Sequence, residues 1–245
     1  MRQDWRDLGF LHWAVDPATV AGFMPPGVRP DVHEGRSYVG LVPFMMVGAG
    51  LPRGPAVPWA GTFLETNVRL YSVDATGRRG IVFLSLDTDR AVVVAGARAV
   101  FGLPYRWARM RHRAVDLPGP GGSVEHRYTA RLRHPGVRTV DSAIVLRAHE
   151  TVRPSSLEEF LSARWGLHVR HLGRTWYVPN QHAEWGFRRA ELVELADGGL
   201  LASVGLPGLG DRPPDHVGFS DGVHTEFGPP VPATRPRASG HRDAG

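Results

Sequence analysis

Residues Thr62 to Tyr71 alternate with a period of two: Phe63, Glu65, Asn67, Arg69 and Tyr71 fall on one face, and Leu64, Val68 and Leu70 with two threonines on the other. Successive side chains leave a strand on opposite sides, so this pattern predicts a strand with an apolar core face and a polar face. Ile81 to Asp87 reads as its partner across the turn at Asp74 to Gly80. The period then changes. Val93, Ala97 and Val100, with Val94 and Phe101 beside them, recur at three and four, which predicts a helix over Asp89 to Phe101 packed on the sheet.

The same reading applied to the rest of the chain gives mostly strands. Leu8 to Ala14 is a first strand, and Asp16 caps a short helix with Pro17 at its first position. Ser37 to Val47 is a second strand, interrupted by Pro43. Gly48 to Gly61 holds too many glycines and prolines for an element and reads as a long loop. His126 to Leu132 and Thr139 to His149 form a hairpin, as do Leu167 to Leu172 and Thr175 to Pro179. Ser156 and Glu159 fit a capping box at the start of a helix running to Arg164. Arg188 to Val204 reads as two strands about Asp197-Gly198-Gly199, and His216 to His224 as the last element. Residues 1–227 therefore read as one domain of α+β class with a dominant antiparallel sheet. Residues 228–245, nearly devoid of large apolar side chains, read as a flexible Pro/Arg-rich tail.

Composition narrows the chemistry. The chain has 245 residues and no cysteine, so disulfides and thiol nucleophiles are excluded. All 29 basic residues are arginine, and imine formation with a carbonyl substrate needs a primary amine that no side chain here supplies. No segment has the apolar length of a membrane span or the pattern of a signal peptide, so the expected location is cytoplasmic, with no membrane partner. A net charge of +5 invites a nucleic-acid partner, but the arginines are spread along the chain, densest at Arg106, Arg109, Arg111 and Arg113, and form no aromatic-interleaved basic stripe. His168, His171, His182 and Glu184 match no strong ligand spacing, so neither a metal nor another cofactor is expected. A homo-oligomer is left open.

Several motifs together carry a resemblance. Phe10-Leu11-His12-Trp13, Asp16-Pro17, Met24-Pro25, the Phe-x-Glu-x-Asn-Val-Arg-x-Tyr of Phe63 to Tyr71, Phe83-Leu84-Ser85-Leu86-Asp87, Ala97-Arg98 and Leu103-Pro104-Tyr105 resemble the YqjF-like family of uncharacterised proteins, within the acetoacetate decarboxylase-like superfamily. The resemblance spans most of residues 5 to 227. It implies a mainly antiparallel sheet curled into a cone or partial barrel, with peripheral helices and a small-molecule site in the lumen. In acetoacetate decarboxylases a lysine after a proline forms the Schiff base, next to a second lysine. Those two positions fall on Tyr105 and Arg106. The pocket arginine falls on Arg98, one pocket glutamate on Glu65, and an early arginine on Arg6; the second glutamate has no counterpart.

The resemblance thus implies a retained pocket without its nucleophile. Glu65 and Tyr105 are the candidate catalytic residues, as acid–base groups, and Arg98, Asn67, Arg69, Arg106 and Arg6 the candidate substrate-binding ones. The leading expectation is a small-molecule enzyme acting on an anionic or carbonyl-bearing compound without Schiff-base chemistry. A noncatalytic small-molecule-binding protein on the same fold is the alternative, and a structural ion-pair network of Glu65, Arg69 and Arg98 remains open beside both. An exterior interaction module with an acidic partner is a third reading.

Overall fold

The structure, a computed structural model, describes residues 1–50, 61–118, 122–136 and 138–233. Among them thirteen strands form one sheet: β1 Arg2–Val15, β2 Val28–Pro30, β3 Ser37–Gly50, β4 Phe63–Asp74, β5 Arg79–Thr88, β6 Tyr105–Asp116, β7 Val124–Leu132, β8 Asp141–Thr151, β9 Gly166–His171, β10 Arg174–His182, β11 Phe187–Ala196, β12 His216–Phe227 and β13 Val231–Pro232. Helices α1 Pro17–Ala21, α2 Ala91–Phe101 and α3 Ser156–Ser162 lie between strands. No helix among the described residues is long and apolar enough to cross a membrane.

Pairing is antiparallel except where β5 meets β6 and β9. The sheet curls back on itself through the β4–β5 and β10–β12 pairings without becoming a regular barrel. Its centre is β1, β3 and β4, which carry a core on each face. Leu11, Trp13, Val39, Leu41, Val68 and Leu70 pack on one side with Ile144, Leu146, Leu200 and Leu201. Phe10, Val42, Phe44 and Phe63 pack on the other with Trp185 and Phe187, continued by Tyr38, Tyr71, Phe160 and Leu167. The polar face expected of β4 is therefore as buried as its apolar one.

Four local readings need correction. The stretch Arg188 to Val204 contains one strand: after Asp197, whose Oδ2 and Oδ1 accept the Gly199 and Leu201 amides, Leu200 and Leu201 turn into the core and Ala202–Val204 forms a 3-10 turn. The capping box at α3 is Ser155 with Glu158, one residue earlier than expected, the Ser155 hydroxyl accepting the Glu158 amide and the Glu158 carboxylate accepting the Ser155 amide. Of the α2 stripe, Val93, Val94 and Ala97 pack inward while Val100 and Phe101 are exposed. The sheet also continues past residue 227: Val231 and Pro232 pair with Tyr177 and Trp176, backbone pairing at an edge that needs no large side chain. The rest of the tail, 234–245, and residues 51–60 of the long loop lie outside the described residues. Replacing Ser155 by alanine is expected to cost about 1 kcal/mol in urea denaturation, the usual effect of losing an N-cap.

Candidate functional site

Glu65, Asn67, Arg69 and Tyr71 all point from β4 into the aromatic interior, placed there by strict alternation from Phe63. Glu65 is only 2% exposed. The Tyr105 hydroxyl donates to its Oε2 at 2.8 Å, and the Asn67 side chain also hydrogen-bonds to it. Tyr105 arrives from the first position of β6, after the Leu103-Pro104 corner, in parallel register with Leu86. Burial raises the Glu65 carboxyl to about 7, against the lowering effect of the Tyr105 and Asn67 hydrogen bonds and with a small push from Asp87. Burial, then the neighbouring Glu65 charge, holds the Tyr105 phenol well above its usual range. A carboxyl that is half protonated near neutrality can both take and give a proton.

Arg69 lies two alternations further along the same face, roughly 13 Å from Glu65 by strand rise. It is buried, and among the described residues no carboxylate lies within 4 Å of it. Its Nε donates to the Tyr71 hydroxyl at 3.2 Å, and its guanidinium carbon sits 5.6 Å from the Phe10 ring centre and 5.5 Å from that of Tyr71. The aromatic faces compensate part of the charge, and among the described residues the outer edge of the fork meets no carboxylate. An unpaired buried cation of this kind is a ready anion receptor.

Aromatic side chains complete the wall. Trp185 meets Phe10 edge-on at 5.5 Å and stacks on Trp5 at 5.9 Å, and Trp5 meets Phe44, which is paired with Glu65 across β3 and β4. The indole nitrogens of Trp5 and Trp185, Asn67 Oδ1 and Thr88 Oγ1 are buried without hydrogen-bond partners among the described residues. Thr88 is directly opposite Glu65 in β5. Two clefts, of about 480 and 530 Å³, open elsewhere: one is lined by Arg109, Arg111 and Asp141, the other by Asp31, Arg79 and Phe160. Neither is lined by Glu65 or Tyr105.

Three of the expected site residues are placed elsewhere. Arg98 is exposed on α2, outside the sheet, and its Nη1 donates to the Tyr105 carbonyl at 2.9 Å beside His134. It braces the corner that delivers Tyr105 and does not enter the interior. Arg106 follows Tyr105 on a strand, so it faces the opposite way, where it is locked to Asp87 by bonds of 2.6 and 2.9 Å and to the Ser203 hydroxyl. Arg6 is exposed, with its Nη2 3.9 Å from Asp4, because Trp5 takes the inward position on β1. The network of Glu65, Arg69 and Arg98 is thus not one of ion pairs: Glu65 is held by neutral groups, and the two arginines by a phenol and a carbonyl.

The histidines considered as ligands are dispersed. His168 bonds Ser72 at 2.9 Å near Asp74, and His182 lies between Trp165 and Trp185 with Nδ1 against the Ala183 carbonyl. Among the described residues no three His, Asp or Glu side chains gather as a metal site.

Comparison with known proteins agrees with this architecture. The uncharacterized protein YqjF of Bacillus subtilis (strain 168) is 30% identical over 192 residues, 78% of this chain and 76% of its own. Among solved structures, the enduracididine biosynthesis enzyme MppR complexed with pyruvate superposes with a TM-score of 0.59 at 18% identity, covering 96% of this chain and 91% of that one. Acetoacetate decarboxylase from Legionella pneumophila gives 0.55 at 14% identity, covering 94% and 87%. The profile of the uncharacterized conserved proteins grouped as DUF2071 matches residues 2–224, and the chain belongs to that YqjF-like family, built on the acetoacetate decarboxylase-like fold.

Proposed function

We propose that the interior along the Phe63 to Tyr71 face binds a small carbonyl compound bearing a carboxylate, and that Glu65 moves a proton at the carbon beside that carbonyl. The supporting observation is the buried pair of Glu65 and Tyr105, 2.8 Å apart, on the same wall as a buried arginine with no carboxylate partner among the described residues. Arg69 receives a carboxylate at the far end of the substrate, since it stands roughly 13 Å along the strand from Glu65. Glu65, as carboxylate, takes the proton from carbon; once it is protonated it no longer needs the Tyr105 proton, and that hydroxyl is free to donate to the enolate oxygen. The proton then returns to product, so no outside reagent is consumed. The reaction class is an enolisation-dependent isomerase or lyase, which needs no imine. The pyruvate held by the related fold of MppR makes 2-oxo acids the first substrates to try.

The low exposure of Glu65 and Tyr105, 2% and 8%, favours one second reading, a carrier that sequesters the same ligand without turning it over. A panel of 2-oxo and 3-oxo acids separates the two: solvent-deuterium incorporation next to the carbonyl, or product formation, supports the enzyme, and a melting shift alone supports the carrier. In both, Arg69→Gln is expected to weaken pyruvate binding by roughly ten- to a hundredfold, the loss of a charge-assisted contact. Unchanged binding in that variant would remove Arg69 from the site.

A further inference from the structure

Arg69 is the inner end of an unbroken side-chain chain. Its Nε is 3.2 Å from Tyr71 Oη, which is 2.6 Å from His12 Nε2. His12 Nδ1 is 3.0 Å from His216 Nδ1, and His216 Nε2 is 3.4 Å from Glu158 Oε1. Tyr71 and His12 are completely buried, and the chain crosses from β4 through β1 and β12 to α3. Residues 12 and 216 are brought together by direct cross-strand pairing of β1 with β12.

Donor chemistry fixes every proton in it. The Glu158 carboxylate only accepts, so a neutral His216 donates to it from Nε2 and accepts on Nδ1 from His12. His12 Nε2 then accepts the Tyr71 proton, and Tyr71 Oη accepts from Arg69, whose guanidinium only donates. His12 thus carries its proton on Nδ1, and His216 on Nε2. The carboxylate at the far end is itself fastened by the Ser155 amide and hydroxyl on its other oxygen. Both imidazoles are neutral in this arrangement. The groups around them agree: His12 faces Arg69 and Tyr71 of β4 and His216 of β12, and burial with those two cationic or titrating neighbours lowers its pKa well below the usual value. His216 faces His12 of β1 and Glu158 of α3, and burial lowers it as well.

We infer that Tyr71, His12 and His216 are positioning residues that fix the rotation of the Arg69 fork, so that its outer edge is presented to the substrate carboxylate while its Nε is tied back to Glu158. The inference rests on the reading of Arg69 as the anion receptor. It also assigns opposite tautomers to two adjacent histidines, a property that general packing of the core does not require.

Nitrogen-15 spectra of histidine- and arginine-labelled full-length protein test it without ligand. The expected result is His12 protonated on Nδ1, His216 protonated on Nε2, and an Arg69 Nε–H protected from solvent exchange. In Tyr71→Phe and His216→Phe the Arg69 Nε–H should exchange at least tenfold faster, and pyruvate should bind about tenfold more weakly. In His216→Gln, whose amide can accept from His12 and donate to Glu158, protection and binding should return. His12 protonated on Nε2 in the unaltered protein, or an Arg69 Nε–H equally protected in His216→Phe, overturns the relay. If pyruvate binding is insensitive to Arg69→Gln while the tautomers and protection are as stated, the relay stands and the anion reading of Arg69 falls.

Discussion

Glu65→Gln is expected to make the protein more stable at pH 8 and at least a hundredfold slower, two effects of opposite sign from one atom's change. The folded carboxyl is raised to about 7 from an unfolded value of 4.5, with burial as the leading cause. Between those values the folded state holds a proton that the unfolded state has released, so stability is fully present below pH 4.5 and falls as pH rises through 7. Two and a half pH units correspond to about 3 kcal/mol. Glutamine has the shape of the protonated acid, can accept the Tyr105 proton, and does not titrate. The variant should therefore match the unaltered protein near pH 4.5 and exceed its melting temperature by roughly 5–10 °C at pH 8. Catalysis moves the other way, because the amide cannot accept a proton from carbon, a loss of about 10²–10⁴. Denaturation curves at several pH values, set beside kcat/KM for whichever oxo acid reacts, check both limbs. Parallel stability curves for the two proteins would show that Glu65 is ionised in the fold and would end its role as the neutral-pH acid–base group.

Much of this arrangement was legible in the residues. The alternation Phe63, Glu65, Asn67, Arg69, Tyr71 put these side chains on one face, and the family resemblance at the Leu-Pro-Tyr corner pointed to Tyr105. What alternation could not give was the depth of that face: a row of polar groups looks the same whether water or Trp185 covers it. The position of Arg6 was lost for a different reason. Asp7 takes a positive φ of 52°, and the pairing of β1 with β3 shifts register between Arg6 and Leu11, so the inward parity of β1 cannot be counted from either end. Arg98 belongs to a helix whose phase is set by what it packs against, and Val94 turned out to be the side chain that decides it.

The α3 cap shows a degeneracy of the letters themselves. Ser155-Ser156 and Glu158-Glu159 satisfy the capping-box spacing in two registers, and only the backbone distinguishes them. His12 and His216 illustrate the opposite limit. They are 204 positions apart and become neighbours only through strand pairing. Thus the polar row that forms the candidate site came from local periodicity, while the groups that orient it came from long-range register.

Arg106→Met is expected to be the most destabilising single change considered, at about 3–5 kcal/mol, the usual cost of removing one member of a buried ion pair. Asp87 is 1% exposed and Arg106 6%, and the two share both carboxylate oxygens. Burial pushes the Asp87 carboxyl up even with the guanidinium pulling it down, so removing the guanidinium leaves an acid that must be neutral or unpaired in the core. The double variant Asp87→Leu with Arg106→Met removes both charges together and should recover most of the loss, since apolar replacement of a buried pair is often close to neutral. The same pair of variants decides between a structural and a binding role for Arg106. Its neighbour Tyr105 faces Glu65, and strand alternation turns Arg106 to the other side, toward Ser203. The refolded double variant should therefore bind pyruvate as the unaltered protein does, while Arg69→Gln, with its fold intact, should not. A double variant that melts normally yet loses the ligand would return Arg106 to the site and place the ligand on the face of the sheet opposite Glu65.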